Sequence, residues 1–158
     1  MVDAKLVKDV ARQFQLDPLL LTAMIIVESS SKSQVARYEP DYRYTHNPAK
    51  FAKPQGITIE TEKRLQMFSW GCLQLMGGTA RWLGYNGFLP QLCEPQIGLY
   101  WGSRYMRHLM DKYSEPEDAI AAYNAGSPRK KENGHYENQE YVNKVIRTYK
   151  QLNGGSNA

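Results

Sequence analysis

The sequence has little of what would mark a membrane protein, a metal protein or a disulfide scaffold. No apolar run approaches the ~20 residues that a membrane span needs. The longest, residues 19–27, is broken by Thr22 and reads as a buried helix. The opening Met1-Val2-Asp3-Ala4-Lys5 has neither the basic start nor the apolar stretch of a secretory signal. The chain is therefore expected to be made in the cytoplasm and to reach any outside target by another route. Only two cysteines occur, Cys72 and Cys93, and they form no C-x-x-C pair and no zinc spacing with His46, His108 or His135. Free thiols in apolar surroundings are expected. No H-E-x-x-H, Walker loop or dinucleotide fingerprint is present, so neither metal nor cofactor is expected.

Composition and charge narrow the class without choosing a function. The 158 residues suit one compact domain, and 42% hydrophobic with 23% charged residues is ordinary for a globular chain. A domain over 1–152 is expected, with 153–158 as a disordered tail. The net charge of +4 and a pI near 9.0 favour polyanionic partners weakly. Nucleic acid and anionic wall polymers both fit. The basic residues are scattered apart from Arg129-Lys130-Lys131. A nucleic-acid binder would rest on pI alone, and would bind DNA in a strongly salt-dependent way.

What the chain does have is helical periodicity. Leu6, Val7, Val10, Ala11 and Phe14 form one stripe. Asp17-Pro18 reads as a cap and first helical position, opening an almost wholly apolar helix that runs to about Ser29 and should be central. Residues 38–56, rich in tyrosine and proline, read as one long loop of the kind that often binds ligands. Further helices are expected over 58–68, 79–83 and from Pro95, where Gly98 and Gly102 would admit a neighbouring helix. Ser114 and Glu117 form a capping-box pattern before a helix stopped by Gly126, and a last helix covers 138–152. About seven helices and no clear sheet give a mainly α fold.

Glu28 ends the apolar helix. Partial burial and the negative end of the helix dipole both disfavour its ionised form, which suits a general acid near neutral pH. Position alone leaves open a second reading, a helix simply reaching solvent.

Four segments in order change that balance. They are Ile26-Val27-Glu28-Ser29-Ser30; Ser69-Trp70-Gly71-Cys72-Leu73-Gln74-Leu75-Met76 with Thr79-Ala80 behind it; Ala119-Ile120-Ala121-Ala122-Tyr123-Asn124-Ala125-Gly126; and Tyr141-Val142-Asn143-Lys144-Val145. Together they resemble the soluble lytic transglycosylase family, with its goose-type lysozyme-like fold. The Ala-Tyr-Asn-Ala-Gly string is the most specific. The resemblance implies that Glu28 is the catalytic acid and base and that Tyr141 orients it. It also implies that Ser69, Gln74, Tyr123 and Asn124 bind the sugars. Cys72-Leu73 replaces the family's usual Leu-Met, and the interval between Glu28 and Gly71 is longer than usual. The inserted Arg37-Tyr38-Glu39-Pro40-Asp41-Tyr42 looks like the phage and prophage branch, whose members act in a virion or lysis system.

The implied substrate is peptidoglycan, cut between N-acetylmuramic acid and N-acetylglucosamine by a chain expected to be monomeric, with no membrane or nucleic-acid partner. Most glycosidases need two carboxyls, ~5–5.5 Å apart for retention or ~6.5–9.5 Å for inversion. The motifs supply one, and the muramic 6-hydroxyl would be the nucleophile, giving 1,6-anhydro ends. A muramidase that uses water needs a second carboxylate, for which Glu39, Asp41 and Glu62 are the candidates. A non-catalytic glycan-binding or phage structural module is the alternative from another class.

Overall fold

The computed structural model describes residues 1–155. Eight α-helices occur among them: α1 Ala4–Gln13, α2 Pro18–Ser29, α3 Pro48–Ala52, α4 Ile59–Gln66, α5 Gly77–Trp82, α6 Pro95–Lys112, α7 Pro116–Ala125 and α8 Gln139–Gly155. Three short strands are β1 Ala36–Tyr38, β2 Phe68–Trp70 and β3 Leu75–Met76. The fold is mainly α, as expected. Two compact units divide the chain. One holds residues 1–2 and 28–102, the other residues 3–27 and 103 onward.

In the unit with 3–27 and 103 onward, helix ends follow local chemistry closely. Asp3 accepts from Leu6 N at 2.9 Å to start α1, which buries Val7, Val10 and Ala11. Asp17 accepts from Leu19 N at 2.8 Å to start α2, as the Asp-Pro pair predicts. Leu21, Ala23, Met24 and Ile25 are buried, so the middle of α2 is core. Helix α7 buries five consecutive residues, Ala119 to Tyr123, and stops at Gly126, whose φ of +82° suits glycine. The expected capping box at its start does not form. Glu115 is the N-cap and makes no side-chain cap bond. Pro116 at the first helical position holds its predecessor extended, so the helix begins one residue too late for Ser114. Helix α8 buries Val142 and Val145 and is tied to Asp17 by the Tyr149 hydroxyl at 2.7 Å. It runs through Asn153 and Gly154 to Gly155, past the expected end at Leu152. Residues 156–158, the rest of the expected tail, lie outside the described residues.

The other unit departs from expectation in three places. A small antiparallel sheet is present, in the order β1-β2-β3, pairing Arg37 with Ser69 and Ser69 with Met76. Strands of two or three residues are too short for alternation to betray them. Residues 38–56 are not one loop. Asn47 caps α3, Pro48 is its first residue, and a 3-10 turn Lys53–Gln55 follows. Lastly, Gly98 and Gly102 face no helix of the expected kind. A side chain at Gly98 would run into the Leu92 carbonyl, and one at Gly102 into the Leu73 side chain. The small face of α6 thus seats the 71–75 turn and the 3-10 segment Leu89–Cys93.

No helix among the described residues is long and apolar enough to cross a membrane.

Candidate functional site

Glu28 stands at the start of the 28–102 unit, on the penultimate residue of α2, and is half-buried. Its setting is built by the next three residues. Ser29 is buried and donates its hydroxyl to the Cys72 carbonyl at 2.9 Å. Ser30 and Ser31 then take φ of 52° and 63°, the left-handed region. Such residues cost of order 1–3 kcal/mol each and cluster at functional sites. The helix end therefore turns sharply without a glycine, and Ser29 locks it to the 71–74 turn.

That turn is itself strained and self-bonded. Gly71 has φ +73°, and a Cβ there would strike the Leu92 carbonyl. Gln74 has φ +47°. Its amide nitrogen donates to Gly71 O at 2.9 Å and Val35 O at 3.2 Å, and its amide oxygen accepts from Ser69 at 2.9 Å. The structure thus brings Ser69 and Gln74 together, both buried. Both amide hydrogens of Gln74 are used inside the protein. What these two side chains leave for a ligand is spare acceptor capacity on their oxygens. Cys72 and Cys93 are free thiols. Burial pushes the Cys72 thiol up to about 12, so it stays neutral and behaves as a small apolar group.

The three candidate second carboxylates fare differently. Glu62 has no exposure, and both of its oxygens are held by Arg81, at 2.7 and 3.0 Å. Gln66 adds a third hydrogen bond at 2.9 Å. A carboxylate so enclosed has no face on which to position water, which removes Glu62 from that role. The remaining Arg81 donor reaches Tyr85 O and Gly87 O, each at 2.8 Å, and the guanidinium lies 4.6 Å from the centre of the Phe51 ring. Asp41 is exposed and Glu39 half-buried, at the start of a tight turn closed by Tyr42 N on Glu39 O.

In the other unit, Tyr123 is buried on α7 with its ring centre 5.2 Å from that of Tyr105. Asn124, the next residue, is exposed. Its oxygen accepts from Asn138 at 2.9 Å, and the same Asn138 nitrogen reaches Ala121 O at 3.0 Å. Tyr141 is half-buried in the first turn of α8. Asn138 was not singled out from the sequence, where it reads as an ordinary helix start. Near the opposite end of α7, Asp118 accepts from the Tyr136 hydroxyl and from Lys130 at 3.0 Å. The Tyr136 hydrogen bond, then Lys130, hold the Asp118 carboxyl below its usual range. Burial first, then Asp118, push Tyr136 upward.

Among the described residues no cluster of three or more His, Cys, Asp or Glu could hold a metal ion. The sequence family described as Transglycosylase SLT domain matches residues 5–146, a span containing every candidate residue above. No solved structure matches the chain at a significant level.

Proposed function

The chain belongs to the transglycosylase SLT domain family, lytic transglycosylases that cleave the glycan strands of peptidoglycan, and from that premise we propose that Glu28 is its only acid and base. The supporting observation is the setting of that carboxyl. Glu28 is half-buried at the end of an apolar helix, and its neighbours Ser29, Ser30 and Ser31 fix the backbone by a buried hydrogen bond and two left-handed turns. A group held this rigidly suits a reaction whose rate comes from proximity.

In the first half of the reaction protonated Glu28 gives its proton to the oxygen joining N-acetylmuramic acid to N-acetylglucosamine. The bond from C1 to that oxygen breaks, and N-acetylglucosamine leaves with a 4-hydroxyl. The substrate's own acetamido oxygen supports the positive charge at C1. The Glu28 carboxylate then takes the proton of the muramic 6-hydroxyl as that oxygen bonds to C1. Glu28 is protonated again, no water is consumed, and the product ends in 1,6-anhydromuramic acid. Ser69 and Gln74 present acceptor oxygens to the sugars, while Asn124 and Tyr123 bind substrate and Tyr141 orients the acid, as the resemblance assigns them.

The water-using alternative is weakened by the loss of Glu62 to Arg81 and retains only Glu39 and Asp41 as partners. The likeness of residues 37–42 to the phage and prophage branch supports a chain that is delivered to the wall by a virion or lysis system. The deciding experiment is clearing of a cell-wall suspension by the wild type and by Glu28→Gln, with product masses recorded. The wild type is expected to leave ends one water lighter than hydrolysis would. Reducing muramic ends would overturn the internal attack, and equal clearing by the variant would remove Glu28 from its role.

A further inference from the structure

The segment after β1 carries an aromatic ring that the proposed chemistry does not use. Tyr44 is 81% exposed, the highest of any large apolar or aromatic side chain away from the chain start. An exposed ring on a loose loop would mean little. Tyr44 is not on a loose loop. Its neighbour Tyr42 meets it edge to face, with ring centres 5.9 Å apart, and is held beside Thr79 at the start of α5. Gly78 lies so close to the Tyr42 hydroxyl and the Tyr44 carbonyl that a Cβ there would sit 2.6 Å from each. Two residues on, His46 is gripped at both backbone groups by Gln66, whose amide donates to His46 O at 3.1 Å and accepts from His46 N. Gln66 is itself fixed by Glu62, and Glu62 by Arg81, all three buried.

A buried ion pair is weak support for stability, and its best-attested use is to fix one geometry. Here it holds the His46 backbone, two residues from Tyr44, together with the Tyr85 and Gly87 carbonyls. Tyr44 is thus an exposed ring on a backbone ordered from both sides, by Tyr42 on Gly78 and by His46 on Gln66. A pre-ordered ring loses little freedom when a ligand stacks on it, which is where such rings gain affinity. Peptidoglycan is the substrate of the family, and each N-acetyl sugar offers a face of C–H groups that suits an aromatic plane. The Tyr44 ring meets Tyr42, and its carbonyl lies against Gly78.

We propose that Tyr44 is a stacking platform for an N-acetyl sugar of the glycan strand other than the two joined by the cleaved bond. It is held in place by the Tyr42–Gly78 contact and the Arg81–Glu62–Gln66 network. The platform sets a preference for long strands over short ones. This rests on the glycan-cleaving reading above.

The test compares wild type, Tyr44→Ala, Tyr44→Trp and Glu28→Gln on purified glycan strands of graded length, with melting temperature checked for each. Tyr44→Ala is expected to lower kcat/KM on long strands roughly three- to tenfold, the size of one aromatic contact. The loss should fall in KM, leave the shortest cleavable fragment unaffected, and be restored by Tyr44→Trp. Binding of sacculi by the inactive Glu28→Gln protein should weaken to the same degree when Tyr44→Ala is added. Loss of activity equally at all lengths, or no loss on long strands, overturns the platform. Retained cleavage by Glu28→Gln would instead sink the proposed acid while leaving the length dependence of Tyr44 readable.

Discussion

Gln74 and Asn124 are the two side-chain amides given the same task by the resemblance, and the protein treats them in opposite ways. Gln74 is buried, left-handed in backbone, and spends both amide hydrogens on Gly71 and Val35. Asn124 sits exposed on a regular helix and gives only its oxygen, to Asn138. The contrast extends to their surroundings. Residues 28–102 hold their shape with left-handed Ser30, Ser31 and Gln74, glycines under carbonyls, and an enclosed arginine. Residues 103 onward rely on helices whose buried faces are mostly apolar, among them Met106, Leu109, Ile120, Val142 and Val145. Changes in the first region should therefore alter stability and activity together, and changes at exposed positions in the second should separate them.

The largest expected effect is an exception that sharpens this contrast. Glu28→Gln lies in the strained region yet is only half-buried and keeps the shape of the side chain. It should lose about 10²–10⁴ of turnover, the usual worth of a positioned acid, with a melting temperature near wild type. Next comes Arg81→Met. It strands Glu62 without a counter-charge, a change that typically costs about 3–5 kcal/mol. Adding Glu62→Met should recover much of that stability. If the single variant melts like wild type in calorimetry, the enclosed network is not what holds the first region. Gln74→Ala follows, because it leaves the Gly71 and Val35 carbonyls short of donors and the Ser69 hydroxyl short of an acceptor. About 1–3 kcal/mol is expected from urea unfolding, with reduced clearing alongside. Clearing lost without loss of stability would return Gln74 to a purely ligand-binding role.

Why these residues differ in how far the sequence reveals them is a matter of range. The helix start at Asp17, the stop at Gly126 and the stripe of α1 follow from neighbours within four positions and are legible in the sequence, whereas the Asp3 cap of α1 emerges only in the structure. The proposal at Glu28 rests on a signal of the same short range, the apolar run before it. The Ser114 box failed for an equally local reason, the grip of Pro116 on its predecessor. What could not be read is every partnership across the chain. Glu62 was a plausible catalytic carboxylate until Arg81, 19 residues on, closed around it. Ser29 finds Cys72 43 positions away. Three strands of two or three residues carry no period of their own, and nothing near Asn138 in the sequence announces that its side chain reaches α7.

Acid and alkali offer a finer test inside the second region, at the charged network of Asp118, Tyr136 and Lys130. The Asp118 carboxyl is held below its usual range, so its contribution is present above about pH 4 and disappears as pH falls through the lowered value. Tyr136 is held above its usual range, so its contribution is present below about pH 10 and disappears as pH rises through the raised value. Tyr136→Phe removes a hydrogen bond to a carboxylate, worth about 1.5–3 kcal/mol at most. The stability gap between it and wild type should be widest between those two limits and close outside both. A gap of constant size across pH would mean that lost packing, not the hydroxyl–carboxylate bond, separates the two proteins.

The smallest expected effect on stability is the most telling for the comparison. Asn124→Ala removes an exposed side chain from the end of a helix. Its partner Asn138 keeps the Ala121 carbonyl at 3.0 Å, so no buried donor is stranded. Alanine is also the better helix former. Stability should stay within about 0.5 kcal/mol of wild type, as for most exposed changes. Among the described residues the Asn124 amide nitrogen makes no hydrogen bond, so its donors remain available to a sugar carbonyl. Steady-state cleavage should then show a fall in kcat/KM of roughly tenfold, one hydrogen bond's worth. Were Asn124→Ala instead to unfold the protein as readily as Gln74→Ala, the two amides would be doing the same structural task and the division between the regions would be false. An unchanged kcat/KM would leave the exposed amide without a ligand, and substrate recognition would have to reside in the strained region alone.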